Sequence, residues 1–270
     1  MDKDKTASSG VSRLRIGMGT LIAIEANAGT PQGSLAALEA GFAAILQVEA
    51  LMHPSRDGSD LPAIRQAGLG IPIAVHAWTW EVLTLSRRLN LMSGGAFDPC
   101  LPDSAGRLSD LEFVAPQSVI AHRPLHLDLG GIAKGYAVDR ALLAMRGAGC
   151  HDGLVNAGGD LAVFGAHSRC IVIKQPGNDD LVVELENSAL ATSEVGGAIR
   201  PAEHRGYYHG LNLREIRSGG VTVAAPLAAV ADALTKCLLA GTIDTHASLL
   251  AAFGARLVSR NPRHPRELVS

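Results

Sequence analysis

The stretch Leu127-Asp128-Leu129-Gly130-Gly131-Ile132-Ala133-Lys134-Gly135-Tyr136-Ala137-Val138-Asp139 sets an acidic strand end, a paired-glycine turn and a helix start side by side. That order suits a dinucleotide pyrophosphate: glycines let backbone approach a ligand, and the first-turn N–H groups of the following helix would face phosphate oxygens. Asp128 would orient a polar ligand group or support a nearby cation. An ordinary strand-to-helix turn has the same pattern, so the companions of this segment decide its meaning.

Around it lies a chain long enough for one large domain or two small ones. With 47% hydrophobic residues it reads as globular, and with only 4% aromatic residues its core is aliphatic. Stacked-aromatic platforms for single-stranded nucleic acid are not expected. A net charge of −2 gives no attraction for polyanions. Apolar runs such as Leu227 to Ala231 are interrupted by Asp232 and Lys236, short of the roughly 20 residues that cross a bilayer, so no membrane span is expected. Cys100, Cys150, Cys170 and Cys237 form no CxxC pair and read as reduced thiols. Residues 1–10 lack the apolar core of a leader peptide, so the expected location is cytoplasmic.

Apolar spacing predicts a strand over Ile16–Ala28, a helix from Ser34 to Leu51, a polar loop over His53–Asp60 and a short helix within Leu61–Leu69. A second long helix is predicted over Val75–Met92, stopped by Ser93-Gly94-Gly95. Further strands are predicted at Val119–Leu127, Leu154–Asn156, Leu161–Phe164, Ile171–Ile173, Leu181–Leu185 and Val221–Ala224. Helices are predicted at Ile132–Arg146, Ala229–Ala240 and His246–Phe253. Clustered strands with irregularly placed helices argue for an α+β fold, with mixed or antiparallel sheets flanked by helices. No linker divides the chain. The expectation is one domain over residues 13–260, between a disordered tail at 1–12 and a polar tail at 261–270.

Besides the Asp128 segment, three stretches place small residues beside a polar one: Met18-Gly19-Thr20, Ser93-Gly94-Gly95-Ala96-Phe97-Asp98-Pro99 and Asn156-Ala157-Gly158-Gly159-Asp160. Glycines inside strand patterns mark bulges, turns or close approach by a ligand. With Ala191-Thr192-Ser193 and Ala231-Asp232-Ala233-Leu234-Thr235, these motifs resemble, in content and order, the ApbE flavin transferases (FAD:protein FMN transferases). The resemblance runs from about residue 16 to about residue 258.

It implies an Mg²⁺-dependent enzyme that splits FAD and transfers FMN to a Ser or Thr hydroxyl of an acceptor flavoprotein, releasing AMP. By the same resemblance Met18, Ala96, Phe97, Asp98, Asp128 and Lys134 would contact FAD, Lys134 as a point charge on phosphate. Asp232, the Gly131 carbonyl and Thr235 would hold the metal, and Asp128 and His209 would act in catalysis, His209 as base for the acceptor hydroxyl.

Three departures stand out. Lys236 occupies the position, four residues after Asp232, where the resemblance places a Thr hydroxyl. Two arrangements follow: Thr235 turns toward the metal from the adjoining helix face, or the Lys236 ammonium takes the metal's place. Either weakens or alters Mg²⁺ dependence. His209 lacks the Asp-Pro that should follow it, and is otherwise read as a surface histidine. Ser55 stands where an aromatic residue would contact the flavin, leaving Phe97, Trp78 and Trp80 as stacking candidates. An FAD pyrophosphatase and a non-catalytic FAD-binding protein remain as rival readings.

Overall fold

A computed structural model describes residues 10–174, 179–195, 219–240 and 243–262. Strands β1 (Val11–Gly17), β2 (Thr20–Asn27), β6 (Asp152–Ala157), β7 (Asp160–Phe164), β10 (Ala189–Val195), β11 (Gly219–Ala225) and β12 (Arg256–Pro262) form one sheet. They pair in the order β1-β2-β6-β7-β10-β11-β12, and every pairing is antiparallel. A second sheet joins β3 (Pro72–Ala74), β5 (Ser118–Ala121) and β4 (Leu111–Val114) in that order, and β8 (Arg169–Ile173) pairs with β9 (Leu181–Leu185).

Helices α1 (Pro31–Met52), α4 (Ala133–Gly147) and α5 (Ala228–Ala240) cover one face of the large sheet. The other helices are α2 (Asp60–Gln66), α3 (Ala77–Met92) and α6 (Ile243–Ala252). The expected α+β architecture is present as a single unit. Strand alternation explains the layering. Ala162 and Phe164 of β7 join the core under the helices, whereas Leu161 and Val163 join a second cluster with Ile173, Val183 and Leu185 of the β8–β9 hairpin. A strand buried on both faces needs a continuous apolar run, which Leu161–Phe164 provides.

Helix α1 starts where Pro31 follows Thr30, whose hydroxyl accepts the Gly33 amide at 3.1 Å. Its length and mean hydropathy are enough to cross a membrane by composition. Here it buries Leu38, Phe42, Ile45 and Val48 in the core, at about 2 kcal/mol for each such side chain. Its outer face carries Glu39, paired with Arg15 at 2.5 Å. It is a core helix with one wet face.

Several boundaries differ from expectation. The predicted strand Ile16–Ala28 is the tip of one strand plus a second, because Met18 and Gly19 turn the chain with φ of +50° and +70°. The predicted strand at Val119–Leu127 ends at Ala121, and Leu127 makes only an isolated bridge to Cys100. Strands β10 and β12 were not expected from the sequence. Pairing extends to Val11 and Pro262, two residues past each expected limit of the domain.

Candidate functional site

Two hairpin tips begin the site. Met18-Gly19 joins β1 to β2 and Gly158-Gly159 joins β6 to β7, each a two-residue loop with positive φ throughout, the form that matches strand twist. A Cβ on Gly158 would lie 2.4 Å from Thr20 Oγ1, so the tips touch. Met18 packs partly buried against the core, and the Asn156 side chain accepts the Gly159 amide at 3.0 Å.

From that junction β7 carries Asp160 inward, where it is 2% exposed and ion-paired with Lys134 of α4. The same ammonium lies 3.5 Å from Asp232 Oδ2 of α5, and that oxygen also accepts the Gly135 amide at 3.2 Å. Helix α5 is held in return: the carboxylate of Asp139 accepts the Ala228 and Ala229 amides at 2.7 and 2.9 Å. A Cβ on Gly135 would sit 2.3 Å from the Ala228 carbonyl oxygen, so only glycine lets α4 and α5 come this close.

Asp232 Oδ1 is taken by the Lys236 ammonium, four residues on along α5. Lys236 also donates to Ser193 Oγ of β10 at 2.8 Å. The Thr235 hydroxyl donates to the Asp232 carbonyl at 2.6 Å, which leaves Ser193 as donor in the 2.6 Å Ser193–Thr235 bond. Lys236, Ser193, Thr235 and Asp232 thus close a ring of hydrogen bonds.

Charge follows from this packing. Burial opposes ionisation of Asp232, but Lys134 and then Lys236 outweigh it and hold its pKa below the usual carboxylate value. Burial also opposes the Lys134 ammonium, and Asp232 and Asp160 reverse that and raise its pKa. Asp160 is pushed up to about 6 by burial and the charge of Asp232, against the pull of the two lysines. Burial likewise raises Asp139 to about 6, although its two amide donors act the other way.

The Ser93–Pro99 loop and the Asp128 turn adjoin this cluster. The Asp128 amide donates to the Pro99 carbonyl at 2.8 Å, and its side chain accepts the Gly130 amide at 2.9 Å. Cys237 of α5 lies beside Ser93, and burial pushes its thiol up to about 12. Asp98 turns both oxygens onto backbone amides, those of Cys100 at 2.9 Å and Leu108 at 3.3 Å, so it shapes the loop. Ala96 and Phe97 are buried, Phe97 in the aliphatic core. Of the other stacking candidates, Trp78 has the Arg140 guanidinium 4.2 Å over its ring, and Trp80 meets Phe113 edge-on. His209 lies outside the described residues.

The expected metal donors do not fit Mg²⁺ as they stand. Such an ion needs oxygen ligands at about 2.0–2.1 Å in near-octahedral array. Both Asp232 oxygens already face an ammonium, one of them an amide as well, and the Thr235 hydroxyl is held within the hydrogen-bond ring. Gly131 is buried in the turn before α4. No group of three or more His, Cys, Asp or Glu suited to a metal occurs among the described residues. Of the first-turn helix amides expected to face phosphate, that of Gly135 is on Asp232.

The six motifs are therefore linked by contacts, four of them through the Lys134, Asp160, Asp232 and Ser193 cluster, and the ApbE family model matches residues 18–256, nearly the whole of this arrangement. The chain belongs to the ApbE family. Among curated relatives, an FAD:protein FMN transferase of Treponema pallidum (strain Nichols) is 27% identical over 57% of this chain and 51% of its own length. A second, from Rhodobacter capsulatus, is 31% identical over 52% of this chain and 25% of its own. The chain thus spans about half the length of the first and a quarter of the second. Solved ApbE structures share the fold. The Pseudomonas stutzeri flavinyl transferase ApbE, apo form, superposes with TM-score 0.76 at 20% identity, covering 95% of this chain and 92% of that one. The Thermotoga maritima ApbE protein gives 0.74 at 20%, covering 94% and 97%.

Sequence reasoning left Asp139, Asp160 and Ser193 without a role of their own. Each closes or lies within a quoted motif, so the signal was present as position, but only packing shows the partner.

Proposed function

We propose that this ApbE-family chain binds FAD and transfers its FMN part to a Ser or Thr hydroxyl of an acceptor flavoprotein. The acceptor oxygen attacks the FMN phosphorus, the bond from that phosphorus to the bridging oxygen breaks, and AMP leaves with that oxygen. The acceptor proton passes to a base, for which His209 is the candidate. One observation supports the reading most: Lys134, Asp160, Asp232 and Ser193, each from a different motif, meet in a single cluster whose part-exposed cation is Lys134, 27% exposed. A phosphate group reaching the turn before α4 would meet that ammonium, and an ammonium stabilises phosphate as a point charge. Because the donors do not fit Mg²⁺, no step is assigned to a metal.

The test is incubation with FAD and an acceptor carrying a flavinylation-type Ser/Thr segment, with AMP followed by chromatography and bound flavin by in-gel fluorescence. AMP together with a fluorescent acceptor band is the expected result. AMP with free FMN alone would replace transfer by hydrolysis, and tight FAD binding without AMP would make the chain a flavin-binding protein.

A further inference from the structure

We infer that the Lys236 ammonium is a built-in cation occupying the place where a divalent metal would sit on Asp232, so that this chain binds a pyrophosphate-bearing ligand without a divalent ion. The part concerning the ligand rests on the function proposed above; the part concerning the cation does not.

Position comes first. Residues four apart on a helix project from the same face. Lys236 therefore reaches Oδ1 of its own helix's Asp232, while Lys134 and the Gly135 amide approach the other oxygen from α4. Lys236 is 5% exposed and Asp232 is fully buried, so the pair is part of the packed interior.

Chemistry comes second. A buried ammonium must find acceptors. Lys236 has two, Asp232 Oδ1 and Ser193 Oγ, and Ser193 is itself fixed by Thr235. An Mg²⁺ ion bound to Oδ1 would have to expel the ammonium from that oxygen and open the ring through Ser193 and Thr235.

Charge comes third. The two carboxylates, Asp160 and Asp232, are ion-paired with two ammonium groups, those of Lys134 and Lys236. A divalent ion would enter a cluster already balanced, with like charges at contact distance. Lys236→Thr changes each of these conditions: it frees Oδ1, adds a hydroxyl oxygen and leaves the cluster one charge negative.

The experiment titrates Mn²⁺ into ligand-free protein and reads the unbound ion by electron paramagnetic resonance, for the natural chain and for Lys236→Thr. Flavin fluorescence then gives FAD affinity in EDTA and in Mg²⁺. The natural chain should leave added Mn²⁺ unbound and hold FAD equally well in both buffers. Lys236→Thr should bind Mn²⁺ stoichiometrically and lose about tenfold or more in FAD affinity in EDTA. Stoichiometric Mn²⁺ binding by the natural chain, or about a tenfold loss of its FAD affinity in EDTA, would overturn the inference. Should Lys236→Thr fail to fold, as circular dichroism would show, the two titrations of the natural chain still decide. Unbound Mn²⁺ with no FAD binding at all would uphold the cation assignment and sink the proposed function.

Discussion

Asp139 and Asp232 cap each other's helices: the carboxylate of α4 holds the first amides of α5, and the carboxylate of α5 holds the Gly135 amide in the first turn of α4. Each helix N-terminus thereby receives a negative charge, the sign its dipole favours. The exchange locks two helices at close range, and it sets the distance at which Lys134 can reach both Asp160 and Asp232.

Gly135→Ala should break this lock. The added methyl would lie 2.3 Å from a backbone oxygen of α5, which cannot rotate away as a side chain could. Thermal unfolding should show a loss of about 1–3 kcal/mol or more, and FAD affinity should fall with it. A variant as stable as the natural chain would show that α4 and α5 separate freely.

Stability should depend on pH in an unusual direction. Asp139 and Asp160 sit at about 6 in the fold, against 3.8 for the free side chain. Between those values the folded chain keeps protons that the unfolded chain has released. The stability linked to these groups is therefore complete below 3.8 and is lost as pH rises through about 6. The melting temperature should drop between about pH 4 and about pH 6. Asp139→Asn, which keeps a capping oxygen but cannot titrate, should flatten part of that drop.

Lys134→Met should leave Asp160 buried without its cation. Removing one partner of a buried ion pair costs about 3–5 kcal/mol, so both melting temperature and FAD affinity should fall, the latter measured calorimetrically. Unchanged FAD affinity in a folded variant would remove Lys134 from the ligand site.

His209→Ala should abolish flavin transfer to the acceptor while FAD binding, followed by fluorescence quenching, stays as it was. Loss of a base removes proton transfer without touching ligand contacts elsewhere. Transfer at the natural rate would eliminate His209 as the base.

The sequence made α1, α3, α4 and α5 visible because apolar residues recur at helical spacing on faces that meet the core. Strand β7 was visible as an unbroken apolar run. Strand β1 was not, although Arg13-Leu14-Arg15-Ile16 alternate: that pattern is only four residues long, and the strand lies at a sheet edge with Leu14 62% and Ile16 85% exposed. Every motif of the site could be read, but roles within motifs could not. The two backbone amides that Asp98 accepts could not be read from the motif. Thr235 and Lys236 both adjoin Asp232 on a helix, and only the placement of Ser193 on β10 decides which one reaches the carboxylate.

The hydrogen bond from Lys134 to Asp232 joins residues 98 positions apart, and β10 closes the ring from between them. No short fragment of the chain can assemble that constellation. It forms only when α4, α5 and the central strands have all found their places, after the slow closure of long loops. A molecule bound there would hold the finished fold and ignore partly folded chains, raising the unfolding midpoint with ligand concentration. The site thus acts as a keystone: whatever fills it reports that the chain has finished folding.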